Sequence, residues 1–352
     1  MTFDPTAAAD TAALPYATEP PSAPIEAEIR ARPEDFRVEE IPAYDPSGEG
    51  DHLFVRFEKT SLNTPEAIKR IAIALDVDKR SAGWAGLKDR HAITEQWASF
   101  EHAKAERLVG AEIEGVRVLE SARHNHKLRT GHLRGNRFTL LLRGATPEHV
   151  EPARQILDAL TARGLPSYFG PQRFGRDGQN VTEAARWIVE GGRPPKPRFR
   201  RKLLVSAFQS ALFNRLLADR IREGTLAAAI DGDLLQKVES GGLFVCEDPV
   251  TDTARAEAFE LSATGPMFGA KMRWPEREAL AREEAVLAEA GLERDDLRRF
   301  AKAGAGTRRP YRFAVLEPEV AAEPDGVRLR FTLPAGGYAT TVLREIMRRE
   351  VR

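Results

Sequence analysis

Apolar and polar residues alternate in DFRVEEIP, 35–42, and in HLFVRFEK, 52–59, with the period of a strand. DPSGEGD between them is made of turn formers. From Pro65 to Leu75 the period lengthens. Ile68, Ile71, Ala72 and Leu75 share one helical face, with Thr64 as the candidate cap and Pro65 in the first turn. GWAGLKDRHAITEQWASF, 83–100, reads as two strands around a charged knot of Lys88, Asp89, Arg90 and His91. In RTGHLRGNRFTLLLRG, 129–144, Phe138, Leu140 and Leu142 alternate with Thr139, Leu141 and Arg143, a strand entered through a Gly135-Asn136 turn. Residues 147–163 predict a helix begun by Pro147 and stopped by Gly164, whereas 107–120 has no decisive period.

The middle of the chain changes character. Helical patterns dominate 178–220 and about 275–303, with Phe208, Leu212, Phe213, Leu216 and Leu217 on one stripe. Strands return at YRFAVLEP, 311–318, and VRLRFTLP, 327–334, before a closing helix over 339–349. Strand-rich ends around a helix-rich middle predict a sheet domain carrying an insertion. The opening 26 residues, rich in Ala, Pro and Thr, predict a disordered leader with neither a basic n-region nor an apolar core.

With 352 residues, 42% of them apolar, the chain can bury a sizeable core. Its 53 basic and 53 acidic side chains cancel, which excludes an indiscriminate polycation but leaves room for local patches. Cys246 is the only cysteine, so no intramolecular disulfide or cysteine metal cluster can form, which suits a reducing cytoplasm. No window is apolar for long enough to span a membrane.

The common cofactor signatures fail one by one. GPMFGAKM lacks the spacing and the hydroxyl of a phosphate loop, and no dinucleotide fingerprint or HExxH occurs. His124 and His126 lack a third ligand, and DPSGEGD fails the calcium-loop spacing. Three basic clusters stand out instead. HNHKLRTGHLRGNR, 124–137, has four Lys or Arg, three His and no acid; PPKPRFRRK, 194–202, has five Lys or Arg; TRRPYRF, 307–313, has three Arg and two aromatics. Cations interleaved with aromatics suit phosphate contacts and base stacking, and equally a solvated surface.

GLKDRHAITEQ, 86–96, resembles the signature of the TruD family of tRNA pseudouridine synthases. GNRF at 135–138, YFGPQRFGRDGQN at 168–180, SAFQSALFN at 206–214 and LPAGGYATTVLREI at 333–346 resemble further blocks, in the family's order. The resemblance implies an α+β fold: a pseudouridine synthase core with a mixed, mainly antiparallel sheet and helices on one side, plus an inserted family-specific α/β domain. It divides the chain into the leader 1–26, a catalytic domain of 27–160 and 308–352, and an insertion of 161–307. The implied activity is isomerisation of uridine to pseudouridine in the D arm of tRNA, at tRNA position 13. It implies no cofactor and no metal. The expected partner is tRNA, with no membrane, no obligatory protein partner, a monomeric state and a cytoplasmic location.

The family's catalytic aspartate falls on Asp89. The reaction breaks a C–N glycosidic bond, turns the uracil and rejoins it through carbon. No atoms are gained or lost, so a carboxylate, ionised above about pH 3.9, is the tool required. Attack at C6, attack at C1′ and proton removal to a glycal all use it. Phe138 matches the aromatic that stacks on the target base, though it also fits an inward strand position. Asn136 matches a residue near the aspartate, unless it only makes a turn. Glu40 matches a family acid, as ion-pair partner or in the chemistry. Lys88 and Arg90 flank Asp89; adjacent side chains point apart, so one of them is expected to reach its carboxylate and the other a phosphate. Arg344, on the last helix, faces the cleft or pairs with a carboxylate. Arg30 stands where the family usually carries lysine, and it receives no catalytic role. A binding module without catalysis would explain the basic clusters but would gain nothing from Asp89.

Overall fold

The computed structural model describes residues 4–22 and 24–351, and the chain divides into two compact units. One comprises residues 21–157 and 315–339, the other residues 1–20, 158–314 and 340–352.

The first of these is built on an eight-stranded sheet. Its strands are β1 (Phe36–Pro42), β2 (His52–Thr60), β3 (Gly83–Trp84), β4 (Ile93–Glu101), β5 (Val116–His124) and β6 (Leu133–Arg143), followed late in the chain by Leu316–Glu323 and Gly326–Pro334. From one edge the order is Leu316–Glu323, Gly326–Pro334, β6, β1, β4, β2, β5, with β3 also paired to β4. Only β1 and β4 run parallel; every other pairing is antiparallel.

Helix α1 is the short Pro5–Ala9 segment of the other unit, and α2 is Thr64–Leu75. Asn63, not Thr64, caps α2, accepting from the Glu66 N–H, and Asp76 ends it in the left-handed region. The apolar stripe of α2, Ile68, Ile71, Ala72 and Leu75, packs with Leu53, Val55 and Phe57 of β2 and Ala98 and Phe100 of β4. The opposite face of the sheet carries a charged network beside a small buried apolar cluster of Phe54, Ala85, Trp97 and Leu128. Arg56 bridges Glu39 and Glu95, Arg137 bridges Glu39 and Glu317, and Arg330 meets Glu319. Alternation along each strand separates these two faces.

The Gly135-Asn136 turn is absent. Both residues lie inside β6, whose ladder to Gly326–Pro334 pairs Gly135 with Pro334 and Asn136 with Leu333. A Cβ on Gly135 would stand 2.2 Å from the Leu333 carbonyl oxygen. Glycine serves here for close strand approach rather than for turning.

The other unit packs helices Gln179–Ile188, Arg198–Arg222 and Arg277–Glu289 with a four-stranded sheet of Thr307–Pro310, Leu261–Met267, Leu234–Lys237 and Leu243–Val245. The expected long helical run over 178–220 is broken between Ile188 and Arg198, in a Gly- and Pro-rich stretch.

The leader is not disordered where it is described. Asp4 caps α1; Ala8, Ala9, Leu14 and Ala17 pack on the core of their unit; and Glu345 accepts hydrogen bonds from Ala17 N and Thr18 N at 3.1 Å. Composition does not report these contacts, because the segment is held by a few small apolar side chains together with the buried Glu345 carboxylate. Residues 1–3 and 23 of the expected leader lie outside the described residues. The described residues of the closing segment, 340–351, belong to this unit, although they were expected in the sheet domain.

Candidate active site

Asp89 lies in the loop 85–92 between β3 and β4, with its side chain 51% exposed. Several groups fix this loop. Thr64 Oγ1, at the start of α2, accepts from the Lys88 N–H at 3.0 Å and donates to Gln96 Oε1 at 2.9 Å. Lys59 Nζ, at the end of β2, donates to the Asp89 main-chain carbonyl at 2.7 Å. Arg30 Nη2 donates to Asp89 Oδ2 at 3.1 Å.

Lys88 turns away from Asp89. Its Nζ lies 2.7 Å from Glu40 Oε2 and donates to Asn136 Oδ1 at 2.7 Å. Glu40 and Asn136 are directly opposite on the β1–β6 ladder, so one ammonium lies against both. Glu40 Oε1 also accepts from the Trp97 N–H at 3.3 Å. The expectation that Lys88 or Arg90 reaches the Asp89 carboxylate is therefore corrected for Lys88: a buried glutamate opposite it captures the charge. Arg90 is exposed. The cation at the Asp89 carboxylate is Arg30, to which the sequence reading gave no role.

Phe138 follows Asn136 by two residues on the same face of β6. It is 7% exposed and packs edge-on to Phe36, with ring centroids 6.4 Å apart, and beside its ladder partner Phe331 at 5.6 Å. The Arg30 guanidinium lies 4.1 Å from the Phe36 centroid. A continuous run of contacts thus joins Asp89, Arg30, Phe36 and Phe138. The inward strand position allowed for Phe138 is the one observed.

Lys59 closes the strand pattern HLFVRFEK. It sits in phase with Leu53, Val55 and Phe57 on the apolar face, and it is fully buried. Burial pushes its amine down to about 8, against the pull of the Asp89 charge and with the push of Lys88. A cation on the buried phase of a strand was the available signal, and Glu40, in phase with Phe36 and Val38, is its acidic counterpart.

Arg344 is not among these residues. It belongs to the other unit, donates to the Leu14 and Pro15 carbonyls and lies over the Tyr16 ring at 4.0 Å. The cluster 307–313 is no surface patch either. Arg308 pairs with Glu283 in the interior at 2.7 Å, and Arg312 is buried against the Arg163 and Ala256 carbonyls, where desolvation lowers its guanidinium to about 10. In 194–202, Arg198, Phe199 and Lys202 are exposed, while Arg200 is bound by both oxygens of Glu183.

Chemically, the site presents a half-exposed carboxylate whose charge is held by a guanidinium and whose main chain is held by an ammonium, beside an aromatic cluster. Such a group can attack carbon or take a proton.

The family model for tRNA pseudouridine synthase D (TruD) matches residues 13–193 and 197–346. A tRNA pseudouridine synthase D from Anaeromyxobacter dehalogenans is 48% identical over 329 residues, covering 92% of this chain and 93% of its own length. One from Thermus thermophilus is 42% identical over 324 residues, covering 92% and 89%. A crystal structure of a Methanosarcina mazei protein that carries the TruD name aligns over 96% of both chains with a TM-score of 0.77 and 23% identity, a likeness of fold. With its mixed, mainly antiparallel sheet and its second α/β unit, the chain belongs to the TruD family of tRNA pseudouridine synthases.

Proposed function

We propose that this chain converts uridine to pseudouridine in the D arm of tRNA, at tRNA position 13, with Asp89 as the catalytic carboxylate. The observation that carries the reading is the Asp89 side chain: open to solvent, yet held by Arg30 at 3.1 Å and seated on a loop pinned from three strands and a helix. Preorganisation of this kind is costly for a surface turn and is what a reacting group requires.

In this reading Arg30 aims the Asp89 carboxylate. Asn136, Lys88 and Glu40 hold the floor beneath the loop. Phe138 is the base contact, because it shares a strand face with Asn136 and packs against Phe36, over whose ring Arg30 lies. The uridine has to leave its stack to reach the carboxylate, since a stacked base has no room to rotate about a broken glycosidic bond. No redox group or carrier is needed, and the work belongs in the reducing compartment that a single cysteine suits.

The test is carbodiimide mapping of tRNA incubated with wild type and with Asp89→Asn. Wild type should label position 13. The variant should give no product, while its tRNA affinity stays within about threefold because cations dominate RNA affinity. Turnover by purified Asp89→Asn would remove Asp89 from the chemistry, and product at another site alone would refute the target.

A further inference from the structure

Lys59 is fully buried, and its described hydrogen bond goes to a main-chain carbonyl rather than to a carboxylate. Taking an ammonium out of water without an acid in contact costs stability. Nothing in the packing requires that cost. The rest of this strand face is apolar, and the ladder neighbours Thr94 on β4 and Val116 on β5 carry no charge. The carbonyl it binds belongs to Asp89 itself.

We propose that Lys59 is a positioning residue for Asp89: its ammonium grips the Asp89 main chain from beneath the loop and sets the direction in which the carboxylate meets Arg30. The inference rests on the reading of Asp89 as the reacting group. The grip needs the charged form, because a neutral amine makes a far weaker bond to a carbonyl. The charges that act on Lys59 are Asp89, which favours the ammonium, and Lys88, which opposes it, both from the loop above.

The amine, lowered to about 8, gives this role a pH signature with an unusual sign. As pH rises through about 8, positioning is lost and the rate should fall. The contribution of Lys59 to stability moves the other way. Its folded value lies below the unfolded one, so the unfolded chain holds more protons in this window and folding gains as pH rises. An alkaline loss of rate caused by this group therefore cannot be unfolding.

The experiment measures single-turnover rates at saturating tRNA from about pH 6 to about pH 9.5 for wild type and Lys59→Met. Wild type should lose rate above about 8 with its thermal stability maintained. Lys59→Met should fold, bind tRNA within about threefold, turn over about 100-fold more slowly and lack the alkaline limb. Lys59→Arg, which keeps the charge and a donor, should recover part of the rate and move the limb upward. Titration of the uracil itself would persist in Lys59→Met and is thereby told apart. A Lys59→Met rate within about threefold of wild type, or a wild-type profile without the limb, overturns the inference. If Lys59→Met does not fold, Lys59→Arg carries the comparison: its limb should lie above the wild-type one, and a limb left where wild type has it overturns the inference. Inactive Asp89→Asn beside fully active Lys59→Met would sink this inference alone, whereas active Asp89→Asn would sink the reading beneath it.

Discussion

Arg30 meets Asp89 side chain to side chain at 3.1 Å, from a backbone whose φ of 59° is left-handed. A non-glycine residue there costs about 1–2 kcal/mol, and the conformation accompanies a guanidinium that both stacks on Phe36 and reaches Asp89. The Asp89 side chain is 51% exposed, so the pair should contribute no more than about 1 kcal/mol to folding. Its value lies in the reaction. Arg30→Met should leave the melting temperature nearly unchanged and lower the single-turnover rate by about 10- to 100-fold. Arg30→Lys should restore most of that loss, since charge is kept. A full rate in Arg30→Met would show that Asp89 needs no cation at its carboxylate.

Phe138 combines two roles that must be measured apart. Buried between Phe36 and Phe331, it should cost about 3–5 kcal/mol of stability when cut to alanine. That is enough to confuse any assay near the melting temperature. Measured well below it, Phe138→Ala should still slow turnover at least about tenfold, for loss of the base contact. Phe138→Leu keeps much of the apolar volume and lacks the aromatic face. It should recover stability without recovering rate; recovery of both would mean that Phe138 is a packing residue only.

The basic clusters should separate by burial. Replacing Arg198, Arg201 and Lys202 with glutamine should weaken tRNA binding and lower the log–log salt slope by about 2–3 units, leaving turnover at saturation intact. Arg200→Gln alone should do less, because Glu183 already neutralises it. Arg308→Gln should cost about 3–5 kcal/mol of stability by stranding Glu283, with little change in salt slope. Urea titrations beside filter binding at several salt concentrations distinguish the two outcomes. An unchanged slope in the triple variant would make 194–202 a plain solvated surface.

The strands and helices that build the site were legible because period and phase report burial directly. The α2 stripe and the alternation of β1, β2 and β6 are where the sequence placed them. Partnership was not legible. Lys88 follows the backbone next to Asp89 but serves Glu40, which is distant in sequence and adjacent only through the loop fold and the β1–β6 register. Arg30 reaches Asp89 through a left-handed backbone that no local pattern announces. The four-stranded sheet of the other unit was hidden because three of its strands have four residues or fewer and all four lie among helices. Charge density misled at 307–313, where three arginines looked solvated while a buried glutamate and main-chain carbonyls awaited all three.

Glu40 and Lys88 give the means to separate holding the fold from holding the site. Their side chains are 1% and 6% exposed and 2.7 Å apart. Removing either partner alone strands a buried charge, at about 3–5 kcal/mol. In a domain stable by about 5–15 kcal/mol, that is a large share, so Glu40→Leu and Lys88→Met should each lower the melting temperature markedly. The double variant strands no charge and should regain most of the loss, short of about 1–3 kcal/mol for the Trp97 N–H that Glu40 now satisfies. Activity should not return with stability. Asn136 loses the ammonium that ties it to the loop, and the residue before Asp89 loses its anchor to β1 and β6. Calorimetry and single-turnover rates on the four proteins complete the cycle. The expected pattern is a double variant near the wild-type melting temperature with a rate at least about tenfold lower. Recovery of both would reduce the pair to core packing. Recovery of neither would show that this buried pair, unlike many, stabilises the fold more than the apolar residues that replace it.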